Sequence, residues 1–178
     1  TQTISVSSPD TYICTITDPQ YCTAIKTYFV EFHAMPVIDL GPDLSLCGVS
    51  SHVLDAGQPG SAYLWSTSAT TQQITVTGSG PYSVTVTTPY DCSSSDAVQV
   101  DFHPLPMDVL QDVTTCISSS PTLDAGNTGA TFLWNTGATA QTVAADSNMT
   151  YSVIVTTPDQ CSATFDAEVL LTEPPIVD

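Results

Sequence analysis

Basic residues are nearly absent from this sequence. Lys26 is the one Lys or Arg in 178 residues, whereas 18 residues are Asp or Glu, which gives a formal net charge of −17. A chain this acidic repels the phosphate backbone of nucleic acids and the headgroups of anionic lipids. The composition therefore excludes nucleic-acid binding and membrane-surface binding as expected functions.

Long hydrophobic runs are absent as well. No apolar segment approaches the ~20 residues that a membrane-spanning helix requires, so we expect no membrane insertion. Only 11% of the residues are charged and 8% are aromatic, yet 42% are hydrophobic, which is enough to bury a core. Thirteen Pro and nine Gly among many Val, Ile, Ser and Thr residues are typical of β-structure with frequent turns.

Catalytic and metal-binding patterns are also missing from the sequence. The histidines lie far apart, and no Cys-x-x-Cys spacing occurs, so zinc is not expected. We predict a protein that is not an enzyme and has no cofactor. Acidic residues near the junctions of the predicted domains are weak calcium candidates, although a solvated acidic surface is favoured; they are Asp39, Asp43, Asp108 and Asp112.

What the sequence does contain is an internal repeat of about 70 residues. Segments 1–36, 71–106 and 140–175 align without a gap. The rest of the repeat occurs twice. Its matched positions include Cys47 with Cys116 and Trp65 with Trp134.

The repeat predicts the domain organisation. Residues 37–106 and 107–175 each form one complete repeat, and residues 1–36 form the C-terminal half of a truncated one. Residues 176–178 resemble the opening of a repeat, so a further repeat is expected to follow. Each repeat ends in a Pro-containing stretch, which predicts short, semi-rigid linkers.

Alternation of hydrophobic and polar residues within each repeat predicts short, half-buried strands. About six or seven strands in about 70 residues predict an all-β fold of tandem immunoglobulin-like β-sandwich domains. A Trp on an early strand and a Tyr at the start of the penultimate strand are predicted core aromatic residues. These residues are Trp65, Trp134, Tyr12, Tyr82 and Tyr151.

The six cysteines suggest disulfides and an oxidising, extracellular setting. The separation between Cys47 and Cys92 equals the separation between Cys116 and Cys161. One disulfide inside each repeat requires this equality, so we predict the pairs Cys47–Cys92 and Cys116–Cys161. Closing a loop of that size stabilises a domain by about 4 kcal/mol in the chain-entropy model.

Two further cysteines lie in residues 1–36. Cys22 aligns with Cys92 and Cys161, so its partner is expected in the absent front of the first repeat. Cys14 stands where the other repeats have Val, and it is either a buried thiol or half of a second bridge to a missing strand. A bond between Cys14 and Cys22 is a third alternative.

Several strings in the two complete repeats resemble a known group of repeats. They are LDAG, YLWSTSATTQQITVT and PYSVTVTTPYDC, echoed by FLWNTGATAQTV and TYSVIVTTPDQC. Through them, essentially the whole chain resembles the Ig-like or PKD-like repeats of large Bacteroidota cell-surface proteins. Those proteins are adhesins and gliding-associated proteins exported by type IX secretion, in which such repeats act as stalks. The resemblance implies a surface-exposed array of β-sandwiches, and the ligand-binding tip and sorting domain of such proteins have no counterpart in these residues.

These observations predict a structural shaft or stalk of an extracellular adhesin or filament. Its partners would be neighbouring repeats of the same long chain or other copies in a filament. One alternative is a module that binds carbohydrate or a cell surface, with Tyr21, Tyr63 and Tyr90 as candidate contact residues. Another is a pilus-like subunit that is completed by a strand from another copy.

Overall fold

The structure is a computed structural model that describes residues 3–173. Within that range the regular secondary structure is entirely β-strand. The strands are β1 Asp10–Thr17, β2 Thr23–Val30, β3 Leu44–Cys47, β4 His52–Asp55, β5 Ala62–Trp65, β6 Gln73–Val76, β7 Gly80–Thr87, β8 Ser93–His103, β9 Val113–Cys116, β10 Thr122–Asp124, β11 Thr131–Trp134, β12 Thr142–Ala144, β13 Met149–Thr156 and β14 Ser162–Thr172. A helix that could span a membrane does not occur between residues 3 and 173.

The repeat at 107–175 forms a sandwich of two sheets. One sheet has four strands in the order β11-β13-β14-β9, and the other pairs β10 with β12. Strand β9 runs parallel to β14, whereas the remaining pairs are antiparallel. Leu123 from the small sheet and Trp134 and Val153 from the large sheet belong to one buried core. This architecture confirms the predicted immunoglobulin-like β-sandwich.

The repeat at 37–106 has the same strand orders. Its four-stranded sheet runs β3-β8-β7-β5, and its second sheet pairs β4 with β6. Strand β3 again runs parallel to the last strand, with Leu44 opposite Val100 and Cys47 opposite His103. The two complete repeats therefore have six strands each in equivalent positions.

Side-chain alternation explains why these segments form half-buried strands. In β13, Tyr151, Val153 and Val155 are buried, whereas Ile154 between the two valines is 43% exposed. Successive side chains of a strand point to opposite faces, so this pattern places one face in the core and the other in solvent. The hydroxyl-rich outer positions of the repeats follow from the same alternation.

The predicted aromatic positions occupy equivalent places in the fold. Trp65 and Trp134 are 2% and 1% exposed. Each indole N–H donates to a backbone carbonyl, Thr71 O at 2.8 Å and Ala140 O at 2.9 Å, so the one polar atom of the ring is satisfied inside the core. A buried tryptophan on this strand is a feature of immunoglobulin-like sandwiches.

The tyrosine at the start of the penultimate strand bonds back to the preceding turn in all three repeats. Tyr151 is buried, whereas Tyr12 and Tyr82 are half-buried. This arrangement matches the tyrosine corner of immunoglobulin-like domains. The bonds are Tyr12 Oη to Ser8 O at 2.9 Å, Tyr82 Oη to Gly78 O at 2.8 Å, and Asp146 N to Tyr151 Oη at 3.1 Å.

The first segment, 1–36, contributes a two-stranded sheet. Strands β1 and β2 pair antiparallel from Asp10 with Val30 to Thr17 with Thr23. They align with the last two strands of each complete repeat. Both faces of this hairpin expose large hydrophobic side chains, including Ile13, Ile16, Ile25, Tyr28 and Phe29.

By compactness the chain divides into two units. One holds β1, β2 and β5, the other holds β3 and β9 to β14, and the strands β4, β6, β7 and β8 have residues in both. The compact units do not follow the repeat boundaries, which stay a prediction. The predicted start of a following repeat at 176–178 lies outside the described residues.

Candidate functional site

A disulfide connects the two complete repeats. Cys47, at the end of β3, bonds to Cys161, in the turn before β14. Their Cα atoms are 5.5 Å apart, although 114 positions separate them in the sequence. The bond therefore joins the repeat at 37–106 to the repeat at 107–175 instead of closing either one.

The predicted pairs Cys47–Cys92 and Cys116–Cys161 are wrong. Cys116 pairs in register with Thr172 at the end of β14, whereas Cys161 directly precedes that strand. Eleven residues of strand span about 35 Å, and a disulfide needs Cα atoms about 4.4–6.8 Å apart. The 11-residue strand β8 separates Cys47 from Cys92 in the same way.

Cys47 and Cys116, the first cysteines of the two complete repeats, have the same local geometry. Each ends a short strand that runs parallel to the last strand of its own repeat. The next residue then donates its amide to the carbonyl opposite the cysteine. These bonds are Gly48 N to His103 O at 2.9 Å and Ile117 N to Thr172 O at 2.8 Å. Cys47 and Cys116 therefore occupy equivalent backbone positions in their repeats.

The second cysteine of each repeat, which is Cys22, Cys92 or Cys161, lies in one type of tight turn. In each turn the cysteine carbonyl accepts an amide from the residue four positions earlier, and the residue before the cysteine has a positive φ. The bonds are Asp18 N to Cys22 O at 3.0 Å, Thr88 N to Cys92 O at 2.9 Å and Thr157 N to Cys161 O at 2.8 Å. The φ angles are 64° at Tyr21, 59° at Asp91 and 64° at Gln160.

Two side-chain contacts accompany the disulfide, one between the same two repeats and one at the start of the repeat at 107–175. His103 Nδ1 lies 3.3 Å from a carboxylate oxygen of Asp159, two residues before Cys161. Asn127 accepts from Met107 N and donates to Met107 O, both at 2.8 Å. The disulfide is thus one part of a bonded junction.

The other four cysteines are thiols. Cys14, Cys22 and Cys116 are exposed, whereas Cys92 is partly buried. The Cys92 sulfur lies 3.8 Å from the carbonyl oxygen of His33. Cys14 therefore is not the buried thiol that one alternative predicted, and it is not bonded to Cys22.

The calcium candidates are engaged in local bonds. Asp43 accepts the amide of Gln99 at 2.9 Å, and Asp112 accepts the equivalent amide of Glu168 at 2.8 Å. Asp108 accepts the amide of Leu110 at 3.1 Å. Between residues 3 and 173 no group of three or more potential metal ligands occurs, so Asp39 belongs to no such group.

Three other carboxylates are held in their ionised form by hydrogen bonds. The side-chain amides of Gln73 and Gln72 and the backbone amide of Gly57 lower the pKa of Asp55. Gln141 and the amide of Gly126 lower the pKa of Asp124. Both aspartates precede an Ala-Gly turn, so each binds its own turn as expected of Asp in this position. The amides of Leu40 and Ala97 lower the pKa of Asp96.

The three tyrosines predicted as carbohydrate contacts have different surroundings. Tyr90 stacks on His33, with ring centroids 3.5 Å apart and planes inclined by 6°. Tyr63 is half-buried, and its hydroxyl donates toward the carbonyls of the Gly57 turn. Tyr21 is exposed at the tip of the β1–β2 hairpin.

The chain is similar in fold to solved tandem Ig domains. It matches DIP-gamma IG1+IG2 with 10% identity and a TM-score of 0.39, covering 81% of this chain and 98% of that one. It matches the insect immune protein hemolin with 10% identity and a TM-score of 0.47, covering 90% and 56%. It matches the four N-terminal Ig domains of Dscam1 with 15% identity and a TM-score of 0.35, covering 90% and 54%.

No protein-family profile matches the chain. No curated protein matches its sequence.

Proposed function

We propose that this chain is a segment of an extracellular stalk, built from immunoglobulin-like repeats that disulfides join to one another. The observation that carries the proposal is the bond between Cys47 and Cys161, which connects successive repeats. Disulfides persist in oxidising compartments, so a structural bond of this kind supports a location outside the cytoplasm. The resemblance to Bacteroidota surface repeats agrees with that location.

A bond between repeats suits a load-bearing role. Tension applied to the ends of the chain passes from Cys47 through the two sulfur atoms to Cys161. The residues between them, which include most of both sandwiches, bear no part of that load. A bond inside each repeat would protect two shorter loops and leave the linker between them under tension.

Composition supports the same role. With a net charge of −17, copies repel one another laterally, and the single basic residue leaves one site for trypsin-like proteases. Pro-containing linkers limit flexing between neighbouring repeats. No arrangement of nucleophile, base and oxyanion donors among the described residues favours an enzyme instead.

The bonding pattern is tested by cyanogen bromide cleavage after Met35, Met107 and Met149 without reduction. We expect the fragment that contains Cys47 to remain attached to the fragment that contains Cys161 and to separate after reduction. Incomplete cleavage after Met149 leaves this expectation unchanged, since Cys161 then lies on fragment 108–178. Release of fragment 36–107 without reduction would contradict the proposal.

Location is tested separately on the cells that make the protein. We expect antibodies against residues 37–175 to label intact, unpermeabilised cells, and we expect external protease to remove the label. A periplasmic or cytoplasmic marker protein, probed in parallel, should stay unlabelled. Labelling that requires permeabilisation would contradict the stalk.

A further inference from the structure

The junction between residues 1–36 and the repeat at 37–106 is built like the disulfide-bonded junction. Gln58 aligns with Asn127, and its side-chain amide donates to Val37 O at 3.1 Å, as that of Asn127 donates to Met107 O. Both bonds join a loop of a repeat to the first residue of that same repeat. The same sequence positions therefore make the same type of contact at both junctions.

The histidine contacts repeat in the same manner. His33 aligns with His103, and Tyr90 aligns with Asp159. His33 stacks on Tyr90 at one junction, and His103 lies 3.3 Å from Asp159 at the other. In each case the end of one repeat contacts the turn that holds the second cysteine of the next.

The two junctions differ at the first cysteine. At the closed junction, Cys47 pairs in register with His103 and bonds to Cys161. At the other junction, the Cys92 thiol lies 3.8 Å from the carbonyl of His33, the residue that aligns with His103. Cys92 thus lies beside the position that a first cysteine would occupy.

An open strand edge leads to that position. Strand β2 aligns with β8, and within residues 3–173 its sheet contains only β1 and β2. In β8, the edge away from β7 receives the parallel strand Leu44–Cys47. Unpaired edges have free backbone donors and acceptors, so β2 can receive a strand of that type.

The exposed face of the hairpin indicates what the strand belongs to. Ile16 and Tyr28 are 65% and 50% exposed, whereas the aligned Val86 and Val98 are 0% and 2% exposed. In the complete repeat at 37–106, where the earlier strands are present, Val86 and Val98 are buried. The missing cover is therefore the front part of a repeat, which also contains the strand that ends in the first cysteine.

We propose that Cys92 is the open half of a second inter-repeat disulfide, whose partner is the first cysteine of the repeat that β1 and β2 complete, at the end of a strand of the same long chain that adds parallel to β2. The inference rests on the proposed function and extends its bonding pattern from one junction to the next. It also assigns His33 O as acceptor for the amide that follows the incoming cysteine, as His103 O accepts Gly48 N.

A small disulfide such as oxidised glutathione accepts the two electrons that the two thiols lose on oxidation. The Cys92 thiolate attacks one glutathione sulfur and releases one reduced glutathione. The incoming cysteine thiolate then attacks the Cys92 sulfur and releases the second. One sulfur–sulfur bond forms in the protein, one is lost in glutathione, and the protein transfers two electrons.

The test uses the 178-residue chain and a peptide with the sequence of residues 42–49, PDLSLCGV, in a glutathione redox buffer. We expect the peptide to bond to Cys92 at least about tenfold faster than to Cys22 or Cys116, because strand hydrogen bonds favour the complex at one site only. A control peptide carries Leu44→Pro and Ser45→Pro, which block strand pairing but keep the residues next to the cysteine.

Cys92→Ser should abolish the selective capture, whereas the matched Cys116→Ser should leave it unchanged. Equal capture of both peptides, equal labelling of Cys22 and Cys92, or no capture would each overturn the inference. The same digest reports whether Cys47 remains bonded to Cys161. Failure of the inference is therefore distinguishable from failure of the proposed function.

Discussion

Reduction of the Cys47–Cys161 bond should release a long segment of chain under tension. The two Cα atoms are 5.5 Å apart, and 114 sequence positions separate them. An extended chain spans about 3.3–3.6 Å per residue, so the segment measures about 380–410 Å when stretched. Complete unfolding of the reduced chain should therefore give a contour length about 370–400 Å longer than that of the oxidised chain.

The assay is single-molecule pulling with handles at both ends, first in oxidising buffer and then with a reductant. In oxidising buffer, only the residues outside the loop from Cys47 to Cys161 can extend. Cys161→Ser should give the longer contour in both buffers, because no bond can form. Cys116→Ser is the matched control and should behave like the unsubstituted chain.

Two outcomes would refute the reasoning. Equal contour lengths before and after reduction would mean that Cys47 and Cys161 are not bonded. Two separate increments on reduction, each corresponding to a shorter loop, would mean that each repeat contains its own disulfide. In the second case the stalk would lose the covalent connection on which its load path depends.

Three other perturbations have defined outcomes. Cys47→Ser should lower the free energy of unfolding in non-reducing urea titrations by about 5 kcal/mol, as the chain-entropy model gives for so long a loop; an unchanged midpoint would contradict it. Trp134→Ala should cost about 3–5 kcal/mol in the same titrations because it leaves a cavity in the core, whereas Leu133→Ala on the exposed face of the strand should cost less. Hydrogen bonds from Gln141 and Gly126 lower the pKa of Asp124 in the folded protein. The stability that these bonds add to the folded state is fully present above the unfolded-state pKa of Asp124 and is lost as pH falls through the folded-state pKa. Asp124→Asn should therefore make acid unfolding monitored by tryptophan fluorescence less steep below about pH 4, and an identical acid profile would exclude this contribution.

The strands and the core were predictable because their signals are local. Tyr151, Val153 and Val155 alternate with residues of the outer face, and a period of two specifies a half-buried strand without knowledge of its neighbours. Repetition of the pattern around Trp65 and Trp134 strengthened the prediction, since two independent copies favour the same fold. The tyrosine corner followed from the same alignment.

The disulfide was not predictable from spacing. In a repeated sequence, every choice of partner recurs with the same separation, so equal distances cannot distinguish a bond within a repeat from a bond between repeats. The deciding fact is that β3 adds parallel to the far end of β8, which carries Cys47 about 35 Å along the strand from Cys92. That pairing is tertiary, and no residue near Cys47 indicates it.

Disulfides between repeats and disulfides within repeats enclose different stretches of the chain. The Cys47–Cys161 loop contains the whole linker between the complete repeats, and the proposed bond at Cys92 would enclose the linker before residue 47. Consecutive loops then overlap between Cys47 and Cys92, so each linker lies inside at least one covalent ring. A single break in a linker would leave the chain connected, whereas bonds confined to each repeat would let the same break separate it. The parallel addition of one four-residue strand therefore determines whether the array tolerates cleavage between its domains.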